Sequence, residues 1–264
     1  MIEISRGAWV VTYLEVLRFV RDRSRVVSSI AFPLLFLAIF GVGFKNVVGA
    51  MAGGVDLIEF MYPGIVAMAA QMTALVAGIS VVQDREAGFL KEILVAPLSR
   101  TGIVLGKAFG VTAVAVLQAL VLIALAPIVG VGIDLGVVLR LLPVVVILSL
   151  GLSGLGILIA SFMRSQQGFQ MLVNVLVFPM FFLAGVFFPV DSVPVWMEVL
   201  SKINPVTYGV DAIRQIFLGS GPIGAGLGVT VFGHTMTFVE EVALVAAIGV
   251  ILIVGAVWAF ARQE

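Results

Sequence analysis

Few residues of this chain are of a type that could do covalent or nucleotide chemistry. Ser153 stands in Gly151-Leu152-Ser153-Gly154, a hydroxyl among small residues. A serine becomes a nucleophile only beside a positioned base, and the single histidine, His234, is the only candidate. Gly102-Ile-Val-Leu-Gly106-Lys107-Ala108 hints at a phosphate-binding loop. It is one residue short between its glycines and lacks the Ser or Thr after the lysine, so no ATP site is expected. With no cysteine there is no thiolate ligand, disulfide or cysteine nucleophile, and one histidine argues against a metal centre. The expectation is therefore no catalytic residue, no metal and no bound cofactor. What the chain does concentrate is charge. Gln83–Arg100 carries Asp84, Arg85, Glu86, Lys91, Glu92 and Arg100, interleaved with Phe89, Leu90, Ile93 and Leu94 at helical spacing.

The surroundings make that segment unusual. Of 264 residues, 61% are apolar and 11% charged, and the mean hydropathy is +1.22. Soluble domains carry about 25% charged residues, so this is an integral membrane protein. The formal net charge of zero gives no reason to expect nucleic acid. Each charge at a bilayer centre costs about 2.5–3.5 kcal/mol, which places Gln83–Arg100 outside the membrane. Its apolar stripe still has to be buried, as in an amphipathic helix that docks on another protein.

The elements that must position it are long apolar runs of about 20 residues. Six are read: Ser28–Asn46, Tyr62–Val82, Ile103–Val129, Leu139–Phe162, Gln170–Phe188 and Val239–Ala261. With both termini in the cytoplasm, the inside receives eleven of the 15 basic residues and the outside only Lys45, Arg140, Lys202 and Arg214. That bias sets an N-in, C-in topology. Residues 1–27 carry Trp9, Tyr13, Val16, Leu17 and Val20 among Arg18 and Arg21, the pattern of an interfacial amphipathic helix. No cleaved signal peptide is read at the N-terminus. Residues 28–188 hold the first five spans and the charged segment 83–100. Residues 189–237 are too long for a plain connector. There Pro194, Trp196 and Leu200 precede Asn204-Pro205, which is followed by Tyr208, Asp211 and Arg214; two short half-helices broken at Asn204 are expected. The last span closes a single domain of residues 1–264.

Small-residue faces at Gly102, Gly106 and Gly110, and around Ser153, suit close helix packing. Gln71, Thr73, Gln118 and Asn174 are the polar side chains deep in the spans, either bonded between helices or lining a pathway. No ionisable residue falls mid-span, which weakens an ion-coupled secondary transporter as the alternative reading.

Gly151–Gly154 resembles the G-x-S-G of rhomboid proteases, but the histidine of that family lies within the last span and its supporting residues have no counterpart here. A broader likeness covers nearly the whole chain. Glu86-Ala-Gly88-Phe89-Leu90-Lys91-Glu92-Ile-Leu-Val-Ala-Pro97-Leu-Ser-Arg100 resembles the cytoplasmic motif of ABC-2 type transporter permeases, in the variant of the daunorubicin/multidrug-type and nodulation-factor-type branch. Pro194-Val-Trp196, then Asn204-Pro205-Val-Thr-Tyr208-Gly-Val-Asp211-Ala-Ile-Arg214, resembles the family pattern after the fifth span. The resemblance implies an all-α, six-span permease of a prokaryotic cytoplasmic membrane. It pairs with a second permease, identical or paralogous, and with two separate ABC ATPase subunits that bind ATP and Mg. It also implies that Glu86, Gly88, Phe89, Leu90, Glu92, Pro97 and Arg100 form a coupling helix, with the N-terminal helix beside it. An amphipathic drug, lipid or glycolipid would pass along the second and fifth spans, past Met68, Gln71, Met72, Asn174, Phe178 and Phe181. Glu86, a carboxylate on an apolar stripe, is expected either to meet Arg18, Arg21 or Arg25, or to be turned away by a helix break at Gly88.

Overall fold

The computed structural model describes residues 2–42, 57–88, 99–218, 228–231 and 233–262, apart from the side chains of 2–6 and 41–42. Helix α1 is Ile2–Arg21 and α2 is Arg23–Phe36, which runs on as a π-helical turn, Leu37–Val42. The helices α3 (Leu57–Leu75) and α4 (Ala77–Glu86) meet at Val76 as one long element. Then come α5 (Arg100–Leu125), α6 (Leu135–Phe162), α7 (Gln166–Phe182), the short α8 (Val195–Ile203) and α9 (Pro205–Leu218), and finally α10 (Phe238–Ala261).

Local sequence sets the helix starts. Ser99, Asp134 and Ser165 each accept a bond from the backbone N–H three residues on, at 3.1, 2.7 and 3.2 Å. Thr237 and Glu240 form a reciprocal capping box before α10. Pro205 opens α9, where its missing N–H costs nothing, so the break expected at Asn204-Pro205 separates α8 from α9.

Among the described residues, five elements are long and apolar enough to cross a membrane: Arg23–Phe40, Leu57–Glu86, Arg100–Val129, Leu135–Phe162 and Phe238–Ala261. The run expected as a fifth span, Gln170–Phe188, is different. Its helix α7 has 17 residues and ends at Phe182, followed by Gly185 at φ 73°. At 1.5 Å per residue it is about 26 Å long, short of a hydrocarbon core of about 30 Å. The apolar residues past its end do not continue the helix. Phe187 folds back onto Phe181 at 5.2 Å, Phe182 at 5.4 Å and Phe40 of the π-helical turn at 5.1 Å. Aromatic clustering has replaced the last helical turn. A two-residue hairpin, Thr230–Val231 with His234–Thr235, is a second departure from the all-helical expectation.

Helix α3 is the centre of the bundle, with Met61, Tyr62, Ile65, Val66, Met68 and Leu75 buried. The helices α6 and α10 touch backbone to backbone. A Cβ on Gly151 would lie 2.8 Å from the Cα of Gly249, and one on Gly154 would lie 2.9 Å from the backbone N of Ile253. Such approaches need residues without side chains, as expected for this glycine-rich stretch.

Candidate functional site

At one end of the bundle, the described ends of the charged segment are bonded to neighbouring helices. Lys107, on the second turn of α5, is only 3% exposed in its side chain. Its Nζ donates to Asp84 Oδ2 at 2.7 Å, Ser80 Oγ at 2.9 Å and Glu15 Oε1 at 3.4 Å. An ammonium has three donors, and here all three are satisfied. Arg18 stands 3.7 Å from Glu15 and 4.0 Å from Asp84, which balances two cations against two carboxylates. The partners come from α1 and α4, so the cluster ties the N-terminal helix to the element that leads into the charged segment.

Helix α1 reaches Lys107 because α5 has removed its own side chains there. A Cβ on Gly106 would lie 2.6 Å from Val11 Cβ, and one on Gly110 would lie 2.6 Å from Glu15 Cβ. Thr12 Oγ1 adds a bond to the Gly106 carbonyl at 3.1 Å. The small-residue face expected to pack a helix therefore packs α1. Trp9 and Tyr13 stay 72% and 58% exposed on its other side, with Arg21 also exposed.

Three more charges of the segment end on helix termini. Arg85 Nη1 donates to the Met163 carbonyl past the end of α6 at 2.6 Å. Arg100 Nη1 donates to the Ala261 carbonyl at the end of α10 at 2.6 Å. Glu86 Oε1 accepts from the Gln166 N–H at the start of α7 at 2.9 Å. Each sign matches the local helix dipole, with cations at C-termini and an anion at an N-terminus. Of the two alternatives expected for Glu86, the break at Gly88 is the one realised, with Glu86 bonded to the start of α7 in place of an arginine partner. The helix ends at Glu86, and Gly88 takes φ 72°, a left-handed conformation suited to glycine. Glu86 is thereby aimed at α7, while Arg18 goes to Asp84. Phe89, Leu90, Glu92 and Pro97 lie outside the described residues.

The opposite end of α7 meets a second polar cluster. Asn204 Nδ2 donates to the Met180 carbonyl at 2.6 Å, and Tyr208 Oη donates to the Lys202 carbonyl at 2.6 Å. Arg214 is buried; its Nη2 donates to the Gly185 carbonyl at 2.5 Å, its guanidinium lies 4.1 Å from the Phe60 ring centre, and Asp211 of its own helix is 3.6 Å away. Burial pulls its pKa below the usual guanidinium value, and Asp211 and Glu241 oppose that pull. Asp211 also accepts the Val229 N–H at 3.1 Å, and Gln215 bridges to the buried Glu241 at 3.0 Å. The motif Asn204, Pro205, Tyr208, Asp211 and Arg214 thus fastens α8 and α9 onto the end of α7 and the start of α10.

The expected cargo-lining set divides. Met68, Gln71 and Phe181 are buried inside the protein, and Gln71 Nε2 donates to the Val177 carbonyl at 3.4 Å. Met72 is half-buried, whereas Asn174 and Phe178 are exposed on α7. Ser153 donates to the Leu150 carbonyl of its own helix at 2.7 Å, and His234 is exposed and bonded to Glu240, so the two do not form a nucleophile and base. Among the described residues, no three His, Asp or Glu side chains cluster to hold a metal ion.

The sequence offered Lys107 only as a failed phosphate-loop lysine and an inside charge, and did not single out Glu15. A signal for Glu15 was present. It lies three and four residues beyond Thr12 and Val11, on the stripe facing Gly106 and Gly110.

The model of the family described as ABC-2 type transporter matches residues 6–218. A putative transport permease, ycf38, of Cyanophora paradoxa is 29% identical over 73% of this chain and 67% of its own length. The probable multidrug ABC transporter permease YbhR of Escherichia coli K12 is 36% identical over 62% of this chain, a match that spans only 45% of YbhR. Nodulation protein J of Rhizobium leguminosarum bv. trifolii is 29% identical over 74% of each chain.

Proposed function

This chain belongs to the ABC-2 type transporter family of membrane transport subunits, and we propose that it is one permease half of an ATP-driven exporter of amphipathic compounds. In this reading six segments cross a prokaryotic cytoplasmic membrane with both termini inside, α7 serving as the short fifth. A second copy or a paralogue completes the pathway, and two separate ABC subunits bind ATP and Mg. Multidrug and nodulation names among the relatives support a drug, lipid or glycolipid as cargo.

One observation carries the mechanical part: Asp84, Arg85, Glu86 and Arg100 bond to α5, α6, α7 and α10 respectively. A push on the intervening residues by an ATPase would reach four helices at once. ATP shifts such a permease between two states only if one state binds the ATP-loaded partner more tightly. The alternating positions of the bundle are then set by which of these bonds hold.

Reconstitution with the cognate ATPase in liposomes tests this. Glu86→Ala should leave ATP hydrolysis running and abolish export of a labelled amphiphile. Full ATP-driven export by that variant removes Glu86 from the coupling path. Transport driven by an ion gradient with no ATPase present would instead make the chain a secondary transporter.

A further inference from the structure

A cleft of about 190 Å³ opens between α1, α2, α3 and α5; of the expected cargo-lining set it shares Met72. Its wall runs from Arg25 and Ser28 through Phe32 to Met72, Thr73 and Gln118. On α2 the lining extends from Arg25 to Pro33, about 12 Å of helix. The two ends differ in chemistry. Arg25 is exposed at the mouth, with exposed Arg21 and Arg23 close by in sequence, and Asp22 is occupied in capping α2. That corner is cationic. At the inner end Gln118 is 1% exposed. Its Oε1 accepts from Thr73 Oγ1, and its Nε2 has no partner among the described residues. A buried amide donor left unpaired asks for an acceptor.

We propose that this cleft binds an amphiphile whose anionic head sits on Arg25 and whose apolar body carries a hydrogen-bond acceptor for Gln118 Nε2. Phe32 and Met72 supply the apolar wall between, the Met adaptable in shape. A plain hydrocarbon tail would leave the amide unsatisfied, and a small inorganic anion at the mouth would leave the apolar wall empty. Both an anionic membrane lipid and a soluble organic anion can present the required chemistry. The inference concerns binding, and stands apart from ATP coupling.

The full chain in phosphatidylcholine nanodiscs, with no ATPase present, is titrated with dansylaminoundecanoic acid and with its uncharged methyl ester. The acid should bind saturably with enhanced dansyl emission. Arg25→Gln should weaken it about tenfold, the loss of one charge-assisted bond, and Arg25→Lys should restore most of that loss. Gln118→Leu, close to isosteric, should weaken it about fivefold, the loss of one neutral bond. The ester should bind Arg25→Gln and the unsubstituted protein alike. Acid binding that is unsaturable, or unchanged in either Arg25→Gln or Gln118→Leu, overturns the proposal. Replacing part of the phosphatidylcholine with phosphatidylglycerol then identifies the source. Displacement of the probe assigns the site to membrane lipid, and undiminished binding assigns it to a soluble amphipathic anion. Because the readout needs no hydrolysis, failure here and failure of the exporter reading are separate results.

Discussion

Two buried cations sit at opposite ends of the α3–α4 element, Lys107 beside Asp84 and Arg214 beside Phe60, and they are held in different ways. Lys107 takes its partners from other helices: Glu15 on α1, and Ser80 and Asp84 on α4. Arg214 takes its carboxylate, Asp211, from one turn earlier in its own helix, and is otherwise held by a carbonyl and a ring. A cluster assembled across helices breaks when they move relative to one another. The Asp211–Arg214 pair lies within one helix and survives such movement, and only the contacts to the Gly185 carbonyl and the Phe60 ring register it. The first arrangement suits a joint, and the second suits a fastening.

Lys107→Met should have the largest effect. It leaves Asp84 and Glu15 with only the half-exposed Arg18, 3.7 Å from Glu15 and 4.0 Å from Asp84, and removing one partner of a buried pair costs up to about 3–5 kcal/mol. The apparent Tm of the detergent-purified protein should fall accordingly, and α1 should become sensitive to protease. Gly106→Ala should act on the same joint without touching a charge. Overpacking against Val11 costs about 1–3 kcal/mol, so α1 loosens while the Arg214 end keeps its hydrogen-exchange protection. Equal loss of protection at both ends would erase the distinction between them. Arg214→Lys should be mildest. It keeps the charge near Asp211 and loses mainly the planar stack on Phe60, about 1 kcal/mol. A Tm drop as large as that of Lys107→Met would show that the Gly185 and Phe60 contacts of Arg214 weigh as much as the ions around Lys107.

How much of this was legible follows from the range of each interaction. Long apolar runs gave five of the six spans, because a continuous stretch of hydrocarbon side chains has one low-energy place to go. Asn204-Pro205 gave the break between α8 and α9, because the proline restricts the residue before it. The same local signals could not foresee the early end of α7. Phe187 reads as more span, and only contact with Phe181 and with Phe40, far away in sequence, turns it back. Likewise Gly106 and Gly110 announced a close neighbour without saying that it would be α1. Thr73 and Gln118 each read as polar groups seeking a partner, but their pairing across helices is a tertiary fact. Glu86 shows the limit most clearly. The residues offered either arginines of α1 and α2 or a break at Gly88, and the fold took the break; Ser165 marks the start of α7, but that Glu86 reaches it is a tertiary fact.

The glycine contact between α6 and α10 has a mechanical consequence. Where glycines bring two helices backbone to backbone, at Gly151 against Gly249 and at Gly154 against Ile253, little side chain intervenes to slide or repack, so the pair moves as one beam. Arg85 holds this beam at Met163 and Arg100 holds it at Ala261. The two ends of the charged segment therefore grip the same lever. With 28 residues in α6 the beam is about 42 Å long, and a tilt of about 5° at the gripped end would carry the far end through about 4 Å.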